Sequence, residues 1–211
     1  MIVVGLTGSI GMGKSTSAAM LRRMGVPVHD SDAAVHRLLA RGGAAVAPID
    51  QAFPGVVKDG AVDRQALGRI VFADPARLRQ LEAIVHPLVR RSSRAFLQRQ
   101  RRRRVPIIVL DIPLLYEKGN ERYCHQVIVV TAPPFLQRQR VMRRRGMTEE
   151  KFRGTLAQQT PDAEKRRRAD WVVPTGLGRS FTWHRLAAVM QQVRSSIGAM
   201  RCPADRKRPH A

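Results

Sequence analysis

A glycine-rich segment near the start of the chain carries the strongest chemical signal in the sequence. Residues 8–15 read GSIGMGKS and fit the pattern G-x-x-x-x-G-K-[ST], in which successive backbone N–H groups surround phosphate oxygens. The apolar run MIVVGLT precedes this segment and a helical pattern follows it, which is the strand–loop–helix setting that the motif requires. The pattern therefore predicts a binding site for a nucleoside triphosphate.

Two side chains of this loop have predicted roles in phosphate chemistry. Lys14 is placed to reach the β- and γ-phosphates, and the hydroxyl of Ser15 is placed to bind Mg²⁺. We expect Lys14 to face the ligand rather than to pack in the core. The motif alone does not separate a kinase from a hydrolase, a switch or a motor.

Carboxylates that follow two other apolar runs are candidates for proton transfer or for magnesium binding at this site. Asp30 and Asp32 follow the second strand candidate, where a carboxylate can accept a proton from an attacking hydroxyl or orient Mg²⁺ through water. Capping of the next helix explains the same two residues equally well. Asp111 ends the run IIVLD and is a second candidate for the magnesium side of the site.

Composition restricts the class of protein. The 211 residues include 38 Lys and Arg against 16 Asp and Glu, a net charge of +22, so anionic partners or substrates are expected. No apolar stretch is long enough to span a membrane, and the apolar start lacks a signal peptide's basic region, so we expect a cytoplasmic protein. Only Cys124 and Cys202 are present, which argues against a disulfide scaffold.

Apolar runs that alternate with helical patterns predict an α/β fold with a parallel sheet. The strand candidates are Ile2–Leu6, Val26–Val28, Pro106–Leu110, Gln126–Thr131 and Trp171–Val173.

The helix candidates lie between and after these strands. Asp63, Asp74 and Thr148 are the predicted N-caps of three of them, and Pro87 is expected to kink or divide the second of these three. The other candidates are Lys14–Met24, Asp32–Arg41 and Phe181–Ile197.

Two long intervals between strands predict additional helical parts of one domain, residues 1–200. Its core comprises about 1–41, 105–133 and 170–200, with a helical insertion at about 42–104 and a basic helical segment at about 134–169. The polar tail, 201–211, is expected to be disordered.

The order and spacing of several segments resemble the dephospho-CoA kinase family over about residues 1–175. These segments are GLTGSIGMGKST, GVPVHDSD, RIVFAD, LEAIVHPLVR, DIPLLYE, QRQRVMRRRG, LAQQ and KRRRADWVV. The resemblance implies a P-loop fold like that of nucleoside monophosphate kinases, with a five-stranded parallel sheet, a helical substrate-binding insertion and a basic lid. It implies ATP-dependent phosphorylation of the ribose 3′-hydroxyl of dephospho-CoA, the last step of coenzyme A synthesis, with Mg²⁺ as cofactor.

The resemblance also implies residue roles. Asp32 is the expected base for the 3′-hydroxyl and ranks above Asp111; Arg140 is the expected lid arginine on the phosphates, and Arg144 is the next candidate. The residues expected to bind ATP are Ser9, Ile10, Gly11, Met12, Gly13, Lys14, Ser15 and Thr16. Those expected to shape the acceptor site are His86, Pro113, Leu114, Leu115 and Glu117.

Three residues depart from the family pattern. Ser9 stands where a second glycine is usual, which is tolerable if its backbone angles are ordinary. His36 replaces a common Arg, and Arg138 replaces a usual Leu, so the acceptor contact and the packing of the lid helix are expected to differ.

Two other functions remain open from the sequence. One is another P-loop small-molecule kinase, with a nucleoside, nucleotide or shikimate-like acceptor. The other is a nucleic-acid-binding ATPase or switch, which is supported by the net charge of +22 and by the basic runs Arg101–Arg104, Arg143–Arg145 and Lys165–Arg168. Against it, only 5% of residues are aromatic and no stacking motif accompanies the runs. The favoured interpretation has ATP and dephospho-CoA as partners, no specific nucleic acid, no membrane, and a monomer or small homo-oligomer.

Overall fold

A five-stranded parallel sheet organises the computed structural model, which describes residues 1–196. The strand order is β2-β5-β1-β6-β7, so the strand that leads into the glycine-rich segment is central. The strands are β1 (Ile2–Thr7), β2 (Val28–Asp30), β5 (Ile107–Asp111), β6 (Gln126–Thr131) and β7 (Trp171–Pro174). Two further short strands, β3 (Val57–Lys58) and β4 (Ala61–Val62), form a separate antiparallel pair.

The central strands are buried throughout because they are almost unbroken runs of β-branched residues covered on both faces. Every residue of β1 and β5 is buried, and β1 pairs in register with both β5 and β6. This register places Leu6 beside Asp111, at the carboxyl end of the sheet.

Helices of very different length connect the strands. They are α1 (Lys14–Arg23), α2 (Ser31–Leu39), α3 (Val46–Ala52), α4 (Arg64–Ala73), α5 (Pro75–Arg102), α6 (Pro134–Met142), α7 (Glu149–Ala157), α8 (Asp162–Arg168) and α9 (Arg179–Ser195). A single 3₁₀ turn, Asn120–Tyr123, precedes β6.

The chain forms two compact units. The first comprises Met1–His29 and the chain from Gln100 onward, and its apolar core lies between the sheet, α1 and α9. The second comprises Asp30–Arg99 and has its own core, centred on Ile49, Phe53 and Val56. It begins earlier than the predicted insertion at 42–104, since α2 belongs to it; the role of this insertion in substrate binding stays a prediction.

The predicted strands and most helix starts are confirmed, with ends that differ by one or two residues. Asp63, Asp74 and Thr148 each cap a helix, accepting backbone N–H bonds from Ala66, Ala76 and Lys151, respectively. The tail from 201 and the expected helix end at Ile197 lie outside the described residues.

Two expectations about the second unit were incomplete. Pro87 does not divide the long helix, because α5 runs through it for 28 residues. The β3–β4 hairpin was not expected, although its turn carries the signal Asp59-Gly60, and both residues have the positive φ (51° and 74°) that a tight hairpin turn needs.

Among residues 1–196, no helix is long and apolar enough to cross a membrane.

Gly5 allows Leu115 and Cys124, which follow β5 in the chain, to pack directly against the central strand β1. A Cβ on Gly5 would lie 2.9 Å from the Sγ of Cys124 and 3.3 Å from Cδ2 of Leu115, and both neighbours are buried. The absence of a side chain at position 5 is therefore a packing requirement.

We expect Gly5→Ala to lower the free energy of unfolding by about 1–3 kcal/mol, because the added methyl overfills this contact. Cys124→Ala should recover part of that loss in the double variant, since it removes the closest atom. Gly154→Ala is the matched control, because nothing lies within 4 Å of its added Cβ, and it should leave stability unchanged or raise it. Urea denaturation measures all three variants, and equal stability of Gly5→Ala and the wild type would contradict the packing argument.

Candidate active site

The glycine-rich segment, residues 8–15, forms a tight loop between β1 and α1 that we call the phosphate loop. A Cβ on Gly8 would lie 2.6 Å from Cγ2 of Val130, and one on Gly11 would lie 2.6 Å from Cγ2 of Val141. Gly11 and Gly13 have φ of 79° and 89°, in the left-handed region that favours glycine. The glycines of the motif are therefore required both by crowding and by backbone conformation.

Side chains from other elements hold the backbone of the phosphate loop from outside. The N–H of Ile10 donates to Oε1 of Gln159 at 3.0 Å, and Nε2 of Gln137 donates to the carbonyl of Ile10 at 2.8 Å. The hydroxyl of Thr175 donates to the carbonyl of Met12 at 2.8 Å. These bonds restrain a loop whose own glycines give it little rigidity.

Lys14 and Asp111 form an ion pair at the carboxyl end of the sheet. Nζ of Lys14 lies 2.8 Å from Oδ1 of Asp111, and the two side chains are 14% and 2% exposed. Lys14 therefore does not simply face the ligand, as the sequence led us to expect, but also neutralises a buried carboxylate. The same contact brings the predicted phosphate lysine next to the second candidate carboxylate.

The remaining loop residues divide into a buried and an exposed group. Ser9 is buried and is not among the described non-glycine residues with positive φ, so the expectation that serine is tolerable there is confirmed. Ser15 and Thr16 lie in the first turn of α1 with exposed side chains. The helix N-terminus and the Ser15 hydroxyl are thus accessible to an anion and its metal.

Arg140 lies on α6 and contacts the phosphate loop rather than extending into solvent. Its guanidinium donates to the carbonyl and hydroxyl oxygens of Thr175, at 2.7 and 3.0 Å, and more weakly to the carbonyl of Gly11 at 3.4 Å. Arg144 follows α6 and is exposed. A contact between Arg140 and phosphate would require an exchange of these carbonyl bonds.

Arg138, the departure on the lid helix, joins α6 to α7. Its Nε lies 2.9 Å from Oε2 of Glu149, and Oε1 of the same carboxylate lies 3.3 Å from Nε of Arg153. At this position the structure thus has a largely exposed ion pair between the two helices.

Asp30 and Asp32 belong to the second unit, and the structure distinguishes between them. Asp30 is the N-cap of α2, where its Oδ1 accepts the N–H of Ala33 at 2.9 Å. Asp32 lies in the first turn of α2, with an exposed side chain. The capping interpretation thus holds for Asp30, and Asp32 stays the candidate base.

Other predicted acceptor residues of the second unit are at its surface. His86 is exposed on α5. His36 is exposed on α2, and its Nδ1 lies 3.2 Å from Nη1 of Arg64. A guanidinium therefore lies beside the position where the family commonly has an arginine.

The Pro113–Glu117 segment follows β5 in the first unit, and its members have different environments. Leu114 is exposed, whereas Leu115 has no exposed surface and packs near Gly5. The carbonyl of Pro113 accepts the Thr7 hydroxyl at 3.0 Å. Of the predicted acceptor residues here, Leu115 is a core residue in this structure.

Glu117 is occupied by partners within the protein. Its Oε1 accepts the N–H of Thr160 at 2.9 Å and lies 2.8 Å from Nζ of the fully buried Lys165. Burial acts to raise the pKa of Glu117, but the hydrogen bonds from Lys165 and from backbone N–H groups hold that pKa below its usual value. Glu117 is therefore charged at neutral pH.

Sequence reasoning missed four residues of this arrangement: Gln137, Gln159, Thr175 and Lys165. Gln137, Gln159 and Lys165 lie in segments that the family resemblance had already drawn out, QRQR, LAQQ and KRRR, but without a role. Long-range hydrogen bonds to a backbone leave no spacing pattern in a single sequence.

The comparisons with known proteins agree on one family. The family described as dephospho-CoA kinase matches residues 2–177. A relative named dephospho-CoA kinase from Paramagnetospirillum magneticum is 60% identical, with 99% of each chain covered. Another of that name, from Rhodospirillum rubrum, is 52% identical over the full length of both chains.

Solved structures support the same fold. A Thermus thermophilus protein is 43% identical, with a TM-score of 0.77, covering 90% of this chain and 97% of that one. A dephospho-CoA kinase from Campylobacter jejuni is 24% identical, with a TM-score of 0.63 and a coverage of 90% and 96%, so it bears on the fold alone. The predicted P-loop kinase fold is confirmed, and the nucleic-acid-binding ATPase and other-acceptor alternatives are not favoured. The chain belongs to the dephospho-CoA kinase family.

Proposed function

We propose that this protein transfers the γ-phosphoryl group of ATP to the ribose 3′-hydroxyl of dephospho-CoA, which yields coenzyme A and ADP. The observation that carries this proposal is the phosphate loop with its Lys14–Asp111 pair, in a chain that matches the dephospho-CoA kinase family over residues 2–177. Phosphoryl transfer requires mainly positioning and charge neutralisation, and the loop offers both.

ATP binds with its phosphates in the phosphate loop. The N-terminus of α1 directs backbone N–H groups at them, and Lys14 exchanges its contact with Asp111 for the β- and γ-phosphates. The positively charged end of the helix and Lys14 then offset the charge that develops on the transferring group.

Mg²⁺ accompanies ATP in this proposal. The exposed Ser15 hydroxyl and the carboxylate of Asp111 are hard oxygen donors of the kind that Mg²⁺ prefers, and Mg²⁺ keeps several waters and so needs few protein ligands. Ser15 is the proposed direct ligand, with Asp111 assisting through water. The metal neutralises charge on the β- and γ-phosphates when it is bound.

Asp32 is the proposed base for the acceptor hydroxyl. Its side chain is exposed on the first turn of α2, whereas the neighbouring Asp30 is engaged as the helix cap. A carboxylate within hydrogen-bond reach of the 3′-hydroxyl draws its proton as the oxygen attacks phosphorus.

The arginines of α6 and its C-terminal turn complete the site. Arg140 already contacts the Gly11 carbonyl, so a small rearrangement toward the phosphates is sufficient, and the exposed Arg144 is the second candidate. Of the predicted acceptor residues, His86 in the second unit and Leu114 in the first unit are exposed. The proposed location is the cytoplasm, where ATP is available as the phosphoryl donor.

Lys14→Ala should lower turnover by about 10²–10³, because a preorganised cation on the transferring phosphoryl group is lost. It should also destabilise the protein, since the buried Asp111 loses the cation at 2.8 Å. Adding Asp111→Asn should restore stability without restoring turnover, which separates the two effects. Steady-state kinetics and thermal unfolding measure both, and wild-type turnover in folded Lys14→Ala would show that the phosphate site lies elsewhere.

Dephospho-CoA should be the preferred acceptor, with kcat/KM about tenfold or more above that of adenosine, AMP or shikimate. The product should be heavier than the acceptor by one phosphate and modified at the ribose 3′-hydroxyl. Mass spectrometry and NMR of the product test this; a better kcat/KM with AMP or shikimate contradicts the acceptor while leaving the kinase chemistry intact.

Asp32→Asn should lower kcat by about 10²–10⁴, the usual contribution of a general base, with little change in ATP binding. Asp111→Asn should be milder, because that carboxylate acts on the metal only through water. The comparison is between two variants with the same chemical change. A larger kcat defect in Asp111→Asn than in Asp32→Asn would place the essential carboxylate on β5 instead of α2.

A further inference from the structure

The segment between α7 and α8 touches the phosphate loop through one side chain. Oε1 of Gln159 accepts the N–H of Ile10 at 3.0 Å, across 149 residues of sequence. The other polar backbone group of Ile10, its carbonyl, accepts Nε2 of Gln137 at 2.8 Å. Two amides therefore hold one residue in the middle of a loop that contains two glycines with positive φ.

The position of Gln159 depends on its neighbour, Thr160. The N–H of Thr160 donates to Oε1 of Glu117 at 2.9 Å, so the carboxylate fixes the backbone next to Gln159. Two residues further on, Oδ2 of Asp162 accepts the hydroxyl of Thr131 at 2.8 Å, which ties the start of α8 to the end of β6. The α7–α8 segment is thus attached on both sides of Thr160, to the phosphate loop through Gln159 and to the end of β6 through Asp162.

Glu117 is fixed in turn by a buried charge. Nζ of Lys165 lies 2.8 Å from Oε1 of Glu117, and the Lys165 side chain has no exposed surface. A fully buried ammonium is costly unless paired, so the pair strongly restrains Glu117 and the first turns of α8. Lys165 has no surface to offer a substrate, and the Glu117 side chain is only 11% exposed.

We infer that Glu117 and Lys165 are positioning residues for ATP binding, which hold Gln159 against the phosphate loop by way of Thr160. The inference rests on the proposed function, since it assigns ATP to the phosphate loop. It changes the role of Glu117 from a contact with dephospho-CoA to a support of the loop that binds ATP. It also gives a role to Lys165 and Gln159, which had none.

The first test replaces Gln159 by an isostere that lacks the acceptor oxygen. Gln159→Met should weaken ATP binding about tenfold, the scale of one lost hydrogen bond to a loop that must be preorganised. Gln158→Met is the matched control, because Gln158 is the exposed neighbour on the same turn, and it should bind ATP as the wild type does. The Michaelis constant for dephospho-CoA should not change in either variant.

The second test removes the buried pair without leaving a lone charge. Lys165→Met with Glu117→Leu should weaken ATP binding to a similar extent as Gln159→Met. The variant with all three substitutions should bind ATP no more weakly than the pair variant. Residues that act through one series of contacts are not additive in their effects on binding. If Glu117 and Lys165 only stabilise the fold, the opposite is expected. The loss of ATP affinity in the triple variant would then be the product of the losses in Gln159→Met and in the pair variant.

Equilibrium ATP binding, measured by calorimetry on the full chain, distinguishes the outcomes. Equal affinity of Gln159→Met and Gln158→Met overturns the inference, as does a multiplicative loss in the triple variant. If the pair variant does not fold, Lys165→Met with Glu117→Met takes its place, because it also removes both charges and the acceptor of the Thr160 N–H. An affinity equal to that of the wild type then overturns the role of Glu117. A wild-type protein that does not bind ATP contradicts the proposed function itself.

Discussion

The phosphate loop must offer N–H groups to a ligand while other groups of its backbone, among them the N–H and the carbonyl of Ile10, are held in place by the protein. Its glycines permit the necessary turns and the close approach of β6 and α6, but they also remove the side chains that would otherwise hold the loop. The missing restraint comes from Gln137 on α6, from Gln159 in the segment after α7, and from Thr175, which follows β7. The elements after β6 are therefore as much part of the site as the motif itself.

The Lys14–Asp111 pair shows how the same site handles charge before substrate arrives. In a chain with a net charge of +22, a buried carboxylate at the sheet edge is stabilised by the nearest cation. The contact brings the predicted phosphate lysine next to a carboxylate that is 2% exposed. One lysine therefore neutralises a buried charge and is also the side chain proposed to bind phosphate.

What the sequence predicted well follows from local patterns. The phosphate loop has a fixed spacing, and the central strands are apolar runs. N-caps such as Asp63 directly precede their helices. Each of these features can be predicted from neighbouring residues. The Asp59-Gly60 hairpin was just as local and was overlooked because the interval was treated as wholly helical. Pro87 is a case where a local breaker signal does not end the helix, since α5 continues on both sides of it.

The candidate site was less predictable, because its supports join distant parts of the chain. Glu117 and Lys165 are 48 positions apart, and nothing in either segment indicates that the carboxylate meets a buried ammonium. The family resemblance pointed to these segments and placed Glu117 in the acceptor site together with its neighbours PLLY. It gave no indication that Glu117 pairs with Lys165. The role of Arg140 on the phosphates stays a prediction, whereas its bonds to Thr175 are seen only in the structure.

The chain crosses between its two compact units inside regular elements. One crossing, at His29 and Asp30, lies within β2, and the other, at Arg99 and Gln100, lies within α5. Domain boundaries usually fall in flexible linkers, where few hydrogen bonds are broken by a cut. Here an excised Asp30–Arg99 fragment would begin with a severed strand and end with a severed helix, so this unit is not a cassette that recombination can exchange between kinases. Substitution within the intact chain is the kind of change that leaves both of these elements whole.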